Sequence, residues 1–149
     1  MNSDDFKNDL DHFEQTCKNA GLKVTQQRME IYRALLESSD HPSAETLYRR
    51  LRDRMPTLSL DTVYRTLATF EKHRLVHRLE TKESQARFEA LNVRHHHFLC
   101  DRCGSVFDFT WPAFDTVALP PTLGRIGTIE RKNVVLHGRC TACLAAEDR

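Results

Sequence analysis

Four of the five cysteines form two Cys-x-x-Cys pairs in the second half of the chain. The first pair is Cys100 and Cys103, and the second, separated from it by 36 residues, is Cys140 and Cys143. Two thiolates spaced in this way can grip one metal ion from a tight turn, and two pairs supply the four sulfur ligands of a tetrahedral zinc site. The spacing therefore predicts a structural Zn²⁺ bound by these four cysteines.

Three consecutive histidines, His95, His96 and His97, precede the first cysteine pair. In a β-strand, side chains alternate between the two faces, so His95 and His97 would share one face and His96 would lie on the other. Imidazole binds several first-row transition metals. The cluster therefore predicts a second metal site, of a different kind, beside the four sulfurs.

The composition favours a globular, intracellular protein. A chain of 149 residues can form one domain or two small ones. No apolar run approaches the roughly 20 residues of a membrane span, and the acidic N-terminal stretch lacks the apolar region of a signal peptide. We therefore expect a cytoplasmic location, where cysteines bind metals more often than they form disulfides.

The charge is unevenly distributed although the whole chain carries only +1. Residues 1–22 carry a net charge of −3, residues 23–82 carry +4, and residues 83–149 are neutral. The basic middle segment indicates an anionic partner such as nucleic acid.

Apolar periodicity predicts four helices in the first half of the chain. The first spans residues 4–20, ends at Gly21, and places Cys17 in the core. The predicted N-caps of the next three helices are Thr25, Ser43 and Ser59.

The fourth helix has two different faces. Leu60, Val63, Leu67 and Phe70 form an apolar stripe that must face the core. The opposite face carries Asp61, Thr62, Tyr64, Arg65 and Thr69. Small hydroxyls, a tyrosine and an arginine near a helix N-terminus suit a DNA groove. An ordinary solvated helix face is the alternative interpretation.

Two short strand-like runs follow this helix, at residues 75–80 and 86–91, with a polar turn at 81–85. Three helices followed by a hairpin are typical of the winged helix-turn-helix, whose last helix enters the major groove. His73 and His77 are interpreted as polar residues of the helix end and the wing rather than as ligands. Beyond a hinge at residues 92–94, runs at 95–100, 106–110 and 134–138 predict strands, and Pro112 predicts a short helix over 112–118.

These stretches resemble the ferric uptake regulator superfamily of bacterial metal-dependent repressors along nearly the whole chain. The matching segments are GLKVTQQR at 21–28, HPSAETLY at 41–48, LSLDTVYRTL at 58–67, RFE at 87–89, HHHFLCDRCG at 95–104 and HGRCTAC at 137–143. The resemblance implies an α+β protein, with a winged helix-turn-helix DNA-binding domain at 1–91, a hinge at 92–94 and an α/β dimerisation and zinc-binding domain at 95–149. It also implies a homodimer that binds a palindrome-like double-stranded DNA operator.

The resemblance assigns roles to residues that the spacing alone leaves unremarkable. The zinc ligands remain the four cysteines, and a regulatory Fe(II) or Mn(II) ion is expected at the domain interface. Its implied ligands are His41, Glu89, His95, His97 and Asp108. The implied DNA contacts are Lys23, Ser59, Thr62, Tyr64 and Arg65, with Lys23 reaching the flanking minor groove. Mixed imidazole and carboxylate ligands suit Fe(II) and Mn(II), whereas thiolates suit zinc.

The sequence carries features of two branches of the superfamily. The peroxide-sensing branch is favoured because Arg94 and Lys132 occupy positions where a further family metal site uses histidines. In that branch a ligand histidine is oxidised, here His41 or His95. Glu89 instead resembles the iron-uptake branch, since peroxide sensors usually carry Asp there. The sequence thus predicts a peroxide- and iron-responsive repressor without enzymatic activity, with a divalent-metal uptake regulator as the alternative.

Two enzyme classes are less favoured alternatives. A thiol-disulfide oxidoreductase also uses Cys-x-x-Cys, but it needs one pair in a thioredoxin-like setting. A metallohydrolase would use the histidine and carboxylate cluster, yet the sequence offers neither an HExxH helix nor a positioned nucleophile.

Overall fold

The computed structural model describes residues 3–81, 85–91 and 95–148. The chain forms two compact units, Met1–Asn92 and Val93–Arg149. The predicted hinge at residues 92–94 lies outside the described residues, as does most of the predicted turn, at residues 82–84. Within the described ranges, each helix is too short or too polar to cross a bilayer.

The first unit consists of four helices followed by two strands. The elements are α1 (Ser3–Asn19), α2 (Gln26–Glu37), α3 (Ala44–Leu51), α4 (Leu60–Lys72), β1 (Val76–Leu79) and β2 (Arg87–Ala90). All three predicted N-caps are confirmed, because the side chains of Thr25, Ser43 and Ser59 accept bonds from amides in the first turns of α2, α3 and α4. Gly21, with a φ of 71°, follows α1 as predicted.

Aromatic rings from three helices meet in the core of this unit. Phe13 of α1 stacks on Tyr32 of α2 with ring centroids 4.3 Å apart, and Phe70 of α4 packs edge-on against both. Cys17 is fully buried beside them, which confirms its interpretation as a core residue. Because α4 buries the stripe of Val63, Leu67 and Phe70, its opposite face is directed away from this core.

The hairpin follows directly from α4. The Leu75 amide donates to the Phe70 carbonyl at 2.8 Å, and the Leu91 amide donates to the Leu75 carbonyl at 3.0 Å. Strands β1 and β2 are antiparallel, with His77 directly opposite Glu89. The predicted winged helix-turn-helix is therefore confirmed, and its wing is tied to the end of α4.

The second unit contains a three-stranded sheet with short helices. Its elements are β3 (His96–Cys100), β4 (Val106–Phe109), α5 (Pro112–Asp115), a 3₁₀ helix (Pro121–Arg125), β5 (Val135–Gly138) and α6 (Thr141–Glu147). The strand order is β4-β3-β5, with β4 antiparallel and β5 parallel to the central β3. The three strands confirm the prediction, whereas α5 is shorter than predicted and α6 was not predicted. Both units together confirm the α+β fold class.

One face of this sheet carries an exposed apolar row. Phe98 of β3 lies between Phe107 of β4 and Leu136 of β5 in the strand register. Phe107 and Leu136 expose 47% and 44% of their surface. An apolar row of this kind on a sheet face is typical of a surface that a partner covers.

Candidate metal centres and nucleic-acid surface

The four predicted zinc ligands lie together at one end of the second unit. Cys100 ends β3, Cys103 follows in a turn, Cys140 is the N-cap of α6 and Cys143 lies in the first turn of that helix. The Sγ atoms of Cys100 and Cys143 are 3.7 Å apart, and those of Cys103 and Cys140 are 3.8 Å apart. Four ligands about 2.3 Å from a tetrahedral zinc ion would be about 3.8 Å apart. The sulfur positions therefore fit a single Zn²⁺.

Backbone amides and a hydroxyl stabilise negative charge on these sulfurs. The amides of Cys103 and Cys140 point at Cys100 Sγ, at 3.5 and 3.4 Å, and lower the pKa of Cys100 to about 6. The Ser105 hydroxyl, 3.1 Å from Cys103 Sγ, lowers the pKa of Cys103. The nearby Cys140 sulfur raises the pKa of Cys143 to about 12. Four thiolates at this spacing repel one another, and a bound divalent cation offsets that repulsion.

The first unit places His41 beside Glu89. The Phe88 amide donates to the Pro42 carbonyl at 3.0 Å, which ties the loop before α3 to strand β2. His41 Nε2 then lies 3.1 Å from Glu89 Oε2, and both side chains are buried. Two adjacent ligands about 2.1 Å from one ion are about 3.0 Å apart when they subtend a right angle. The pair therefore fits two neighbouring coordination positions of one metal ion.

His41 also has an unusual backbone. Its φ is 50°, in the left-handed region that residues other than glycine rarely adopt. Such conformations persist where the surrounding structure enforces them, and they cluster at functional sites. The loop thus holds His41 in a strained conformation that directs its imidazole to Glu89.

His77 contacts the other oxygen of Glu89. Its Nδ1 lies 3.4 Å from Glu89 Oε1 across the β1–β2 pair. His77 is in the wing, as predicted, but the sequence interpretation missed this contact. The only signal available in the sequence was the hairpin, whose register places the two residues opposite each other.

The second unit brings His95, His97 and Asp108 together. Asp108 of β4 is the register partner of His97 of β3. Asp108 Oδ1 lies 3.5 Å from His97 Nε2 and 3.7 Å from His95 Nε2. The predicted alternation is confirmed, because His96 points to the other face and lies 2.8 Å from Asp115. Two imidazoles and a carboxylate with this spacing can supply three ligands to a divalent ion.

Three of the predicted DNA contacts line one cleft of the first unit. Lys23, Thr62 and Arg65 share a cleft of about 350 Å³ with other polar residues of α2 and α4. Arg65 also pairs with Asp61 one turn earlier, but both side chains are mostly exposed, at 80% and 65%. An exposed pair of this kind contributes little to stability, so the guanidinium can bind another anion. With Arg28 also in its lining, the cleft combines three cations with hydroxyl groups.

The two remaining predicted DNA contacts are held by local hydrogen bonds. Ser59 Oγ caps α4 and lies 2.8 Å from Thr62 Oγ1. The Tyr64 hydroxyl, on the exposed face of α4, donates to Glu45 of α3, and this bond raises the pKa of Tyr64 and lowers that of Glu45. These bonds fix the side chains before any partner binds.

Comparison with known proteins places this arrangement among metal-responsive regulators. The model of the ferric uptake regulator family matches residues 19–119. The peroxide operon regulator of Bacillus subtilis is 30% identical over 134 residues, which cover 90% of this chain and 92% of that protein.

Solved structures show the same fold. The ferric uptake regulator of Helicobacter pylori, described with three functional metal-binding sites, superimposes with a TM-score of 0.72 at 25% identity and covers 93% of both chains. That of Pseudomonas aeruginosa with manganese gives a TM-score of 0.70 at 30% identity, covering 86% of this chain and 97% of that one.

Proposed function

Because the chain belongs to the ferric uptake regulator family, we propose that it is a metal-dependent, DNA-binding transcriptional repressor that responds to peroxide and iron. The observation that carries this proposal is the presence of two donor sets of different chemistry in a chain that also forms a winged helix. Four thiols lie at zinc spacing, and separate imidazole and carboxylate donors suit Fe(II) or Mn(II).

The structural role belongs to Cys100, Cys103, Cys140 and Cys143. A Zn²⁺ ion held by them cross-links the end of β3 to α6 across the second unit. Because thiolate ligands satisfy all four zinc positions, this site has no open position for chemistry.

The regulatory role belongs to the imidazole and carboxylate donors. We propose that His41 and Glu89 from the first unit bind the same ion as His95, His97 and Asp108 from the second. Shared ligands fix the orientation of one unit against the other only while the ion is bound. The ion therefore favours the DNA-competent state by its differential affinity for that state.

DNA binding is supported by α4 and by the apolar sheet face. Lys23, Thr62 and Arg65 present cations and hydroxyls to phosphates and base edges, with Ser59 and Tyr64 beside them. The row of Phe98, Phe107 and Leu136 supports a homodimer. Two copies of α4 related by a dyad recognise palindrome-like half-sites at a spacing that depends on their orientation.

Peroxide would act on the same donors. Fe(II) held by these donors would promote cleavage of the O–O bond of hydrogen peroxide, with one oxygen added to a neighbouring imidazole and the other released as water. His41 and His95 are the expected positions of oxygen addition. An oxidised imidazole binds metal less well, so the two units lose their shared ligands and repression ends.

A second candidate is a ferrous-iron or other divalent-metal uptake regulator without peroxide sensing. Glu89 favours it, because its carboxylate is one methylene longer than that of Asp and can occupy the ion's coordination sphere differently. In either case we propose a regulator that has no catalytic residues and acts in the cytoplasm.

The deciding experiment is a mobility-shift assay on duplexes selected from a random pool with Mn(II) present. We expect binding with Mn(II) or Fe(II), and loss of binding after peroxide only in the Fe(II) sample, with an added oxygen on His41 or His95 by mass spectrometry. Retained binding without oxygen addition would support the uptake regulator. Metal-independent binding, or none, would overturn the proposed function.

A further inference from the structure

His77 lies on strand β1 of the wing, and its side chain contacts Glu89, which its position in the wing does not explain. Glu89 has one oxygen toward each of two histidines: Oε2 lies 3.1 Å from His41 Nε2, and Oε1 lies 3.4 Å from His77 Nδ1. The Glu89 side chain is 9% exposed and that of His77 is 23% exposed. The carboxylate is thus nearly enclosed, with an imidazole at each oxygen.

The chemistry of the contact determines which atom carries the proton. An ionised carboxylate only accepts hydrogen bonds, so Nδ1 of His77 must carry the hydrogen that points at Oε1. This holds for the neutral Nδ1–H tautomer and for the imidazolium alike. At 3.4 Å the contact is longer than the roughly 2.7–3.2 Å of most N–H···O hydrogen bonds.

We propose that His77 is a positioning residue for the regulatory ion: it hydrogen-bonds Glu89 Oε1 and thereby presents Oε2 as the ligand atom. This inference rests on the proposed function, in which Glu89 binds that ion. Residues that hydrogen-bond a metal ligand orient it and raise its affinity for the metal, commonly by about 10- to 100-fold.

The length of Glu89 gives this bond a specific role. Glu has more rotatable bonds than Asp and loses more conformational freedom when it is fixed. His77 lies opposite Glu89 in the β1–β2 register. The strand pair therefore restricts the conformations of the Glu89 carboxylate before the ion binds. The wing also continues directly from α4 through the Leu75 to Phe70 hydrogen bond, which links the positioned carboxylate to the predicted DNA-binding helix.

The test measures Mn(II) affinity and metal spectra on the full zinc-loaded chain. His77→Ala removes the donor. His77→Asn keeps an N–H near the position of Nδ1. His12→Ala removes an exposed imidazole from α1 and is the matched control. We expect His77→Ala to weaken Mn(II) binding about tenfold, His77→Asn to recover most of the affinity, and His12→Ala to match the wild type.

Electron spin echo spectra and the Glu89→Ala variant distinguish a failure of the positioning role from a failure of the proposed regulatory site. Electron spin echo spectra of bound Mn(II) should show the same number of nitrogen ligands in His77→Asn as in the wild type. A missing nitrogen would make His77 a ligand and overturn the positioning role, as would unchanged Mn(II) affinity in His77→Ala. If Glu89→Ala also leaves Mn(II) binding unchanged, the proposed regulatory site fails and the inference fails with it. Circular dichroism and zinc content establish that each variant is folded.

Discussion

His96 and Asp115 form a buried hydrogen bond in the second unit, with 2.8 Å between Nε2 and Oδ1. The Val134 amide donates to His96 Nδ1 at 3.0 Å, so Nδ1 is an acceptor and Nε2 carries the proton. Both ring nitrogens of His96 therefore form hydrogen bonds within the protein. Nearby, Lys132 donates to the Val117 carbonyl at 2.8 Å and lies over the Phe114 ring. This arrangement favours a structural role for His96.

The first prediction is that His96→Ala destabilises the second unit without removing a metal site. The side chain is fully buried, and its loss leaves a cavity and an uncompensated Asp115. We expect a loss of about 2–4 kcal/mol in the free energy of unfolding, measured by urea denaturation of the zinc-loaded protein. Mn(II) stoichiometry should not change.

The matched control for this prediction is His137→Ala. His137 lies on β5 of the same sheet, and its side chain is 59% exposed, so its removal should change stability by less than about 0.5 kcal/mol. Equal effects of the two substitutions, or a loss of one bound Mn(II) in His96→Ala, would contradict the structural role.

The second prediction concerns zinc. Chelation, or Cys103→Ser, should unfold the second unit, because structural zinc contributes on the order of 10 kcal/mol to folding. The measurement is zinc content by mass spectrometry alongside circular dichroism. Cys17→Ala is the control, since this fifth cysteine is buried in the core of the first unit and should leave zinc content unchanged. Persistent structure after complete zinc removal would count against a structural site.

Local patterns predicted most of the elements, and helix α6 was missed because its local start signal is weak. Thr25, Ser43 and Ser59 were recognisable as caps because a cap depends on residues within one turn. Helix α6 was not predicted, since its N-cap is Cys140, whose sulfur accepts from the Cys143 amide at 3.5 Å. A cysteine is a weak helix-start signal in a sequence.

The candidate metal sites show a different limit, which is long-range pairing. The cysteine pairs were evident from their spacing alone, because each pair is local. His41 and Glu89 were assigned only through resemblance, since 47 residues separate them and nothing local marks either one. The contact of His77 with Glu89 depends on the strand register, which a sequence pattern of four-residue strands does not determine.

The third prediction tests the cleft on α4. Lys23→Ala and Arg65→Ala should each weaken binding to the selected operator and, where the lost contact is to a phosphate, reduce the slope of log K against log salt by about 1. Fluorescence anisotropy between low and moderate salt measures both quantities. Arg125→Ala removes an exposed cation from the second unit and should leave the slope unchanged. Wild-type affinity together with a wild-type slope in both Lys23→Ala and Arg65→Ala would exclude this cleft from the DNA interface.

The fourth prediction concerns the length of the carboxylate at residue 89. Glu89→Asp withdraws the carboxylate by about one bond length, roughly 1.5 Å, from both His41 and His77, which lie within 3.1 and 3.4 Å of its oxygens. The shorter Asp side chain occupies less of the ion's coordination sphere and leaves more room for peroxide. We expect weaker Mn(II) binding and faster oxygen addition to His41 or His95 in the Fe(II)-loaded variant, measured by peptide mass spectrometry over a peroxide time course. Glu45→Asp, on α3 in contact with Tyr64, controls for shortening a carboxylate outside the ligand set. Oxidation at the wild-type rate in Glu89→Asp would show that the extra methylene of Glu89 does not restrain the peroxide reaction.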